Sequence, residues 1–326
     1  MHCTSWVYFL RHLYTIWLMV SAPAPWQLTL ARIGGALPFI SPELSQCLAL
    51  ASLRRLWRVH VRDYPFDNLG IEHNPGLEAD ELMRSWYSEE RRQFLSWISR
   101  RGHPPLAHAA KLAMAAKSHT EGFSEIYRPA DRALERLDVL LPTSDPMGTL
   151  LEWLAELRTE EIDFLEGGSE MIQVSGFAVT RSAPRGAAWA ASLAAAMRPH
   201  LFGLGSAPMA LAGVMPRALF RELHEDPLPV LLRRALQAAA ESAAADLRAM
   251  QRAHLQAEGA LSGLYASSTA PLAWRLVAGI GPLTRAELAR GLEVTKRTAS
   301  QSVAAMVTAG MASLRTSDGA IVRTDT

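Results

Sequence analysis

Helical spacing of the apolar residues along most of the chain is the feature that most restricts its fold. The pattern is clear between residues 48 and 56 and again in a long stretch from residue 227 to 261. Alanine is abundant in runs such as 187–197, and alanine favours helices. Outside the C-terminus, only Met171 to Ser182 has the character of strands. The sequence therefore predicts a mainly α protein.

Prolines and capping residues divide this helical pattern into regions. Pro142 to Pro146 (PTSDP) is the clearest linker, because two prolines bracket residues that favour turns and caps. It separates a helical region over residues 26–141 from a second helical region over residues 147–264, which ends in the long helix. Residues 270–326 form a third, small domain in this interpretation.

The apolar N-terminal segment, residues 1–25, has some features of a secretory signal. An apolar run from Leu13 to Val20 is followed by Ala-x-Ala and a proline. However, Arg11 and His12 interrupt the apolar stretch, and the run is far shorter than the roughly 20 residues of a membrane-spanning helix. We expect the segment to be dispensable and the protein to be cytoplasmic, without stable membrane association; a cleaved secretory signal is the alternative.

Composition excludes several classes of protein. The chain has 33 Lys and Arg against 32 Asp and Glu, so any basic surface that binds nucleic acid must be local. Cys3 and Cys47 are too few for a disulfide framework or a four-cysteine zinc site, and we expect both to remain reduced thiols. The ten histidines are scattered without metal-ligand spacing, and no catalytic or phosphate-binding motif is complete. We therefore predict no enzyme activity, no metal and no cofactor.

The C-terminal part carries two short helical patterns on either side of a tight turn. Residues 283–311 read LTRAELARGLEVTKRTASQSVAAMVTAGM. Thr295 is placed to cap the second helix, and Leu292 and Val294 fill the turn. The predicted inward positions are Leu283, Leu288 and Ala289 in the first pattern and Ala299, Val303 and Met306 in the second. Polar and basic side chains, of the types that bind phosphates and base edges, are left on the outer face of the second helix.

Residues 270–326 resemble the winged helix-turn-helix DNA-binding domain of the MarR-like or GntR-like kind. The resemblance implies a supporting helix over Arg285–Gly291, a recognition helix over Lys296–Thr308, and a wing from Ala312 to Thr324 that turns at Ser317-Asp318-Gly319. The implied DNA-binding residues are Thr295, Lys296, Arg297, Ser300, Gln301, Arg315 and Arg323. The chain departs from the family at Glu293, where such motifs usually have glycine, and in the brevity of the wing.

The sequence thus predicts a DNA-binding protein, either a transcriptional regulator or a plasmid or chromosome maintenance factor, with duplex DNA as its partner. Two alternatives stay open: a protein-interaction adaptor that uses the winged helix as a docking module, and a helical enzyme with an appended regulatory domain. A homodimer is a further hypothesis, because the helix over residues 227–261 has an apolar stripe. The stripe comprises Leu231, Leu232, Ala235, Leu236, Ala239, Leu247, Met250 and Leu255. It packs either on a second copy of the chain or on the protein's own helical region.

Overall fold

Helices dominate the computed structural model, which confirms the prediction of a mainly α protein. The structure describes residues 24–62, 88–122, 125–160, 169–174, 177–182, 187–205, 208–220, 226–264 and 268–324. Most of the apolar N-terminal segment, including Cys3, lies outside these ranges. Within them, no helix combines the length and the apolar character that crossing a bilayer would require.

The helical body precedes residue 265. Its helices are α1 (Pro25–Ala36), α2 (Pro42–Arg62), α3 (Ser88–Arg101), α4 (Pro104–Lys117), α5 (Arg128–Val139), α6 (Pro146–Glu160), α7 (Ala187–Ala196) and α8 (Leu228–Leu261). The stretch predicted to have strand character forms an antiparallel hairpin of β1 (Ser169–Val174) and β2 (Phe177–Ser182). Short 3-10 helices occur at Leu37–Phe39, Glu125–Tyr127, Pro199–Phe202 and Arg217–Phe220. Prolines in the first turn start several of these helices, where a missing N–H costs nothing.

The C-terminal module, which we define as residues 268–324, contains three helices and a small sheet. The helices are α9 (Ala270–Ile280), α10 (Arg285–Gly291) and α11 (Lys296–Thr308), and the strands are β3 (Ala312–Leu314) and β4 (Ile321–Arg323). The two strands pair antiparallel. Leu283, in the segment between α9 and α10, also pairs with Ile321 through hydrogen bonds of 2.8 and 3.2 Å between their backbones. The sheet therefore ties the start of α10 to the end of the module.

One hydrophobic cluster runs through both the body and the module, from Trp26 to Ile321. Aromatic contacts form part of it: the rings of Trp97 and Tyr127 are stacked with centroids 5.6 Å apart, and those of Tyr127 and Trp189 are tilted with centroids 5.3 Å apart. Contacts also cross the predicted linker at residues 142–146, because the indole N–H of Trp153 donates to the carbonyl of Ala133 over 2.9 Å. The domain boundaries drawn from the sequence stay predictions, and the core beneath them is continuous.

The apolar stripe of α8 packs against the protein's own helices α1, α2 and α9. The stripe residues Leu232, Leu236, Ala239, Leu247 and Met250 are buried, whereas Leu255 is 59% exposed. This packing corresponds to the second of the two alternatives that the sequence left open. Most of the stripe is therefore already covered by the protein's own helices, and the homodimer hypothesis stays a prediction that this face does not support.

The one cysteine within the described ranges, Cys47, is a free thiol in the interior of α2. Burial raises the pKa of this thiol to about 12, with the charge of Glu43 acting in the same direction and that of Arg275 opposing it. The thiolate is the reactive form of cysteine, so the folded protein holds Cys47 in an unreactive state.

Candidate nucleic-acid interface

The α10–turn–α11 unit buries the residues that the sequence assigned to its interior. Leu283, Leu288, Ala289, Ala299, Val303 and Met306 are all buried. Leu292 and Val294 in the turn are half-buried against the core. The inward positions were therefore predicted correctly from helical spacing alone.

Side-chain caps fix where both helices start. The hydroxyl of Thr284 accepts a hydrogen bond from the backbone N–H of Glu287, whose carboxylate accepts one from Thr284 N over 2.9 Å. The hydroxyl of Thr295 accepts from the backbone N–H of Thr298 over 3.1 Å, as the sequence predicted. Each cap satisfies backbone donors that the first turn of a helix leaves without partners. The capping role also engages the hydroxyl of Thr295, one of the residues nominated for DNA contact.

The turn between the helices requires an unusual backbone conformation at Glu293. This residue has φ of +55°, in the left-handed region, and its side chain is exposed. Glycine adopts that region without steric cost, whereas a residue with a Cβ pays for it. Glu293 therefore places strain and a negative charge directly before the first turn of α11.

We expect Glu293→Gly to raise the free energy of unfolding by about 0.5–1 kcal/mol. Relief of the left-handed strain favours the variant by about 1–2 kcal/mol, and the greater freedom of glycine in the unfolded chain offsets part of that gain. Urea denaturation measures the difference. Glu293→Ala is the matched control, because it removes the same charge but keeps the Cβ, and an equal gain for both variants would contradict the strain argument.

The outer face of α11 brings together the polar residues nominated from the sequence. The exposed side chains are those of Thr295, Lys296, Arg297, Ser300 and Gln301, followed along the same helix by Ala304, Val307 and Thr308. Among the described residues, Lys296 and Arg297 have no ion-pair partner, so both charges point to solvent. Two free cations in a first turn are an arrangement that suits an anionic partner.

The two basic residues nominated in the wing are more constrained. The guanidinium of Arg315 binds the carboxylate of Asp318 in a bidentate ion pair, with N···O distances of 2.9 and 2.6 Å. Asp318 also accepts from the backbone N–H of Ala320 and so holds the turn before β4. Arg323 is half-buried on β4, opposite Ala312. A phosphate would therefore have to compete with Asp318 for Arg315, whereas Lys296 and Arg297 on α11 have no ion-pair partner among the described residues.

Sequence reasoning missed how the module is attached to the body. Lys117 at the end of α4 forms an ion pair with Glu287 of α10, and both side chains are only 12% exposed. Arg290 Nε donates to the carbonyl of Ala116 over 2.9 Å, beside that ion pair. Burial lowers the pKa of Lys117, although the hydrogen bond and charge of Glu287 act in the opposite direction. The capping box at Thr284-x-x-Glu287 is readable in the sequence, but the second partner of Glu287 is not.

One constellation in the body has the composition of a catalytic triad but not its geometry. His254 Nε2 lies 3.3 Å from Ser41 Oγ and 3.4 Å from Glu258 Oε1. In a triad the acid binds the ring nitrogen opposite the one that faces the nucleophile, whereas here both groups lie at the same nitrogen. Ser41 Oγ also accepts from the backbone N–H of Leu44, as a helix cap does. Across the described ranges, no three His, Cys, Asp or Glu side chains are grouped to hold a metal ion.

Comparisons with protein-family models, curated proteins and solved structures found no match to this chain.

Proposed function

We propose that the protein binds duplex DNA through its C-terminal module, acting as a winged helix. In this proposal α10 is the supporting helix, α11 lies in the major groove, and the β3–β4 hairpin is the wing. The order of elements supports the proposal, since α9, the Leu283 bridge, α10, α11 and a hairpin follow one another. The major groove is wide enough to admit an α-helix, and recognition helices of this class present side chains to base edges there.

The observation that carries the proposal is the outer face of α11. It begins with the unpaired cations Lys296 and Arg297, continues with neutral polar or small side chains, and contains no acidic residue. From Pro271 onward the sequence has seven basic residues (Arg275, Arg285, Arg290, Lys296, Arg297, Arg315 and Arg323) and four acidic ones (Glu287, Glu293, Asp318 and Asp325). The local charge therefore favours a polyanion even though the whole chain is almost neutral.

The biological role proposed with this activity is that of a transcriptional regulator or a plasmid or chromosome maintenance factor in the cytoplasm. The helical body would supply partner binding or ligand sensing. The body contacts the module through α2 and α4. Through these contacts, the binding of a ligand or partner to the body would affect the position of α11. Homodimerisation would place two such modules on neighbouring half-sites of the DNA. It is part of the proposal, but no surface of the protein is assigned to the contact between the two copies.

The test is the double variant Lys296→Ala/Arg297→Ala, assayed for binding to a short duplex of mixed sequence over a salt titration. The slope of log K against log salt is negative, and each lost phosphate contact makes it less steep by about 0.9. The double variant should therefore bind more weakly, with a slope less steep than that of the parent by about 2. Fluorescence anisotropy with a labelled duplex measures both quantities. Both residues are exposed, so the fold should be unchanged, which circular dichroism checks.

Arg32→Ala/Arg233→Ala is the matched control. It removes the same two positive charges from exposed positions of α1 and α8, outside the module. We expect this control to bind DNA as the parent does. Equal affinities and slopes for the parent and the Lys296→Ala/Arg297→Ala variant would rule out α11 as the DNA-binding helix.

A second candidate function is a protein-docking module. Three apolar side chains of the C-terminal module are exposed: Leu272 by 43%, Val307 by 41% and Leu314 by 40%. Exposed apolar side chains of this size are typical of surfaces that bind another protein when they are contiguous. The same titration separates the two candidates, because a docking module has no reason to bind duplex DNA with a steep salt dependence.

A further inference from the structure

The outer face of α11 loses its charge after the first turn. Beyond Arg297 its exposed side chains are a hydroxyl (Ser300), an amide (Gln301), a methyl group (Ala304), and then Val307 and Thr308. The intervening positions, including Ala299, Ser302 and Val303, are buried against the module. If α11 lies in the major groove, the groups that meet base edges in the middle of the helix are therefore an amide, a hydroxyl and a methyl group.

These groups do not suit all base pairs equally. Glutamine forms a bidentate pair with N6 and N7 of adenine, and the methyl of alanine contacts the C5-methyl of thymine. Guanine is recognised by Arg or Lys, and the cytosine amino group by Asp or Glu, and none of these residue types is present in α11 beyond Arg297. Serine contacts either type of pair. The exposed side chains in the middle of the helix therefore suit A·T pairs better than G·C pairs.

Helical geometry places the two discriminating side chains within reach of neighbouring base pairs. Gln301 and Ala304 are three residues apart, so they share one face of the helix with Cβ atoms about 5–6 Å apart. Successive bases along a strand are separated by about 3.4 Å. A helix in the groove therefore presents the amide and the methyl group to two adjacent base pairs.

We infer that α11 selects A·T pairs at two adjacent positions of its DNA site, with Gln301 binding adenine and Ala304 contacting a thymine methyl. This inference rests on the proposed function and adds the base chemistry that the site takes. Lys296 and Arg297 hold the helix on the phosphates in this arrangement, and the neutral residues that follow supply the sequence preference.

The experiment begins with duplexes selected from a randomised library by the full-length chain. In a selected duplex, each adenine is replaced in turn by 7-deazaadenine, which lacks N7, and each thymine by deoxyuridine, which lacks the methyl group. We expect one 7-deazaadenine substitution to weaken binding about tenfold, because the pair with Gln301 loses the hydrogen bond to N7 and is no longer bidentate. A deoxyuridine substitution at the neighbouring pair should weaken it by a smaller factor.

Two variants assign these effects to residues. Gln301→Met keeps a side chain of similar length without the amide and should abolish the 7-deazaadenine effect alone. Ala304→Gly removes the methyl group and should abolish the deoxyuridine effect alone, with circular dichroism checking that the helix persists. The inference would be overturned if the selected sites had G·C at these positions, or if the base effects persisted unchanged in both variants. In either case salt-dependent binding would still support the proposed function. Absence of duplex binding by the parent chain would overturn both.

Discussion

Glu287→Ala is expected to lower the free energy of unfolding by about 3–5 kcal/mol. Removing this carboxylate leaves the ammonium of Lys117 buried between α4 and α10 without its partner, and an uncompensated buried charge is costly. The substitution also removes the acceptor that binds the backbone N–H of Thr284 at the start of α10. Urea denaturation followed by circular dichroism measures the loss.

A small set of variants separates the charge from the cap. Glu287→Gln keeps an oxygen acceptor for Thr284 but has no charge, so its cost reports the loss of the negative charge that faces Lys117 and Arg91, without the loss of the cap. Lys117→Met leaves the carboxylate without its lysine, and the double variant Lys117→Met/Glu287→Met replaces both charges with apolar groups of similar length. We expect the double variant to be more stable than the sum of the two single losses predicts. Strict additivity would show that the two side chains do not interact.

Gly279→Ala is expected to destabilise the protein by about 1–3 kcal/mol, although alanine is the better helix former. A Cβ at this position of α9 would lie 2.5 Å from Leu50 Cβ and 3.0 Å from Leu50 Cδ1. Leu50 is fully buried in α2, and its Cβ is attached to the backbone, so rotating the side chain does not relieve the contact. The two helices would have to move apart, which opens the core that joins the module to the body.

Gly259→Ala supplies a control of opposite sign. Gly259 lies near the end of α8, and a Cβ built there meets no atom within 4 Å. The same substitution should therefore raise the free energy of unfolding by about 0.4–1 kcal/mol. Thermal or urea denaturation of the two variants side by side tests the close approach of α9 and α2, and a gain in stability for both would contradict it.

Local signals explain what could be predicted from the sequence. The helices Arg285–Gly291 and Lys296–Thr308 have the bounds that the resemblance implied, and the cap at Thr295 was itself readable from the local residues. The outward position of Lys296 and Arg297 follows from the same spacing, because the buried stripe fixes the orientation of the helix. Information of this kind lies within a few residues of each side chain and needs no knowledge of the rest of the fold.

Long-range packing explains what could not be predicted. Lys117 and Glu287 are separated by 170 residues, and neither residue carries a local sign of the other. The stripe on α8 was recognisable as apolar, but periodicity does not say whether a second copy or the same chain covers it. The pairing of Arg315 with Asp318 is local, but it depends on the conformation of a turn, and so the resemblance implied a DNA contact for Arg315 without indicating its partner.

The shared core beneath α9 has a consequence for how a DNA-bound molecule would be oriented. Trp274, Val277 and Ile280 are buried, and α9 packs against α2 and α8 of the body, so the outer face of α11 that we propose to bind DNA is not carried on a flexible linker. Its angle to the body is set when the chain folds. If the module binds DNA as proposed, the helical body would extend from the double helix in one fixed direction. A partner bound to that body would then have a defined position and orientation relative to the DNA.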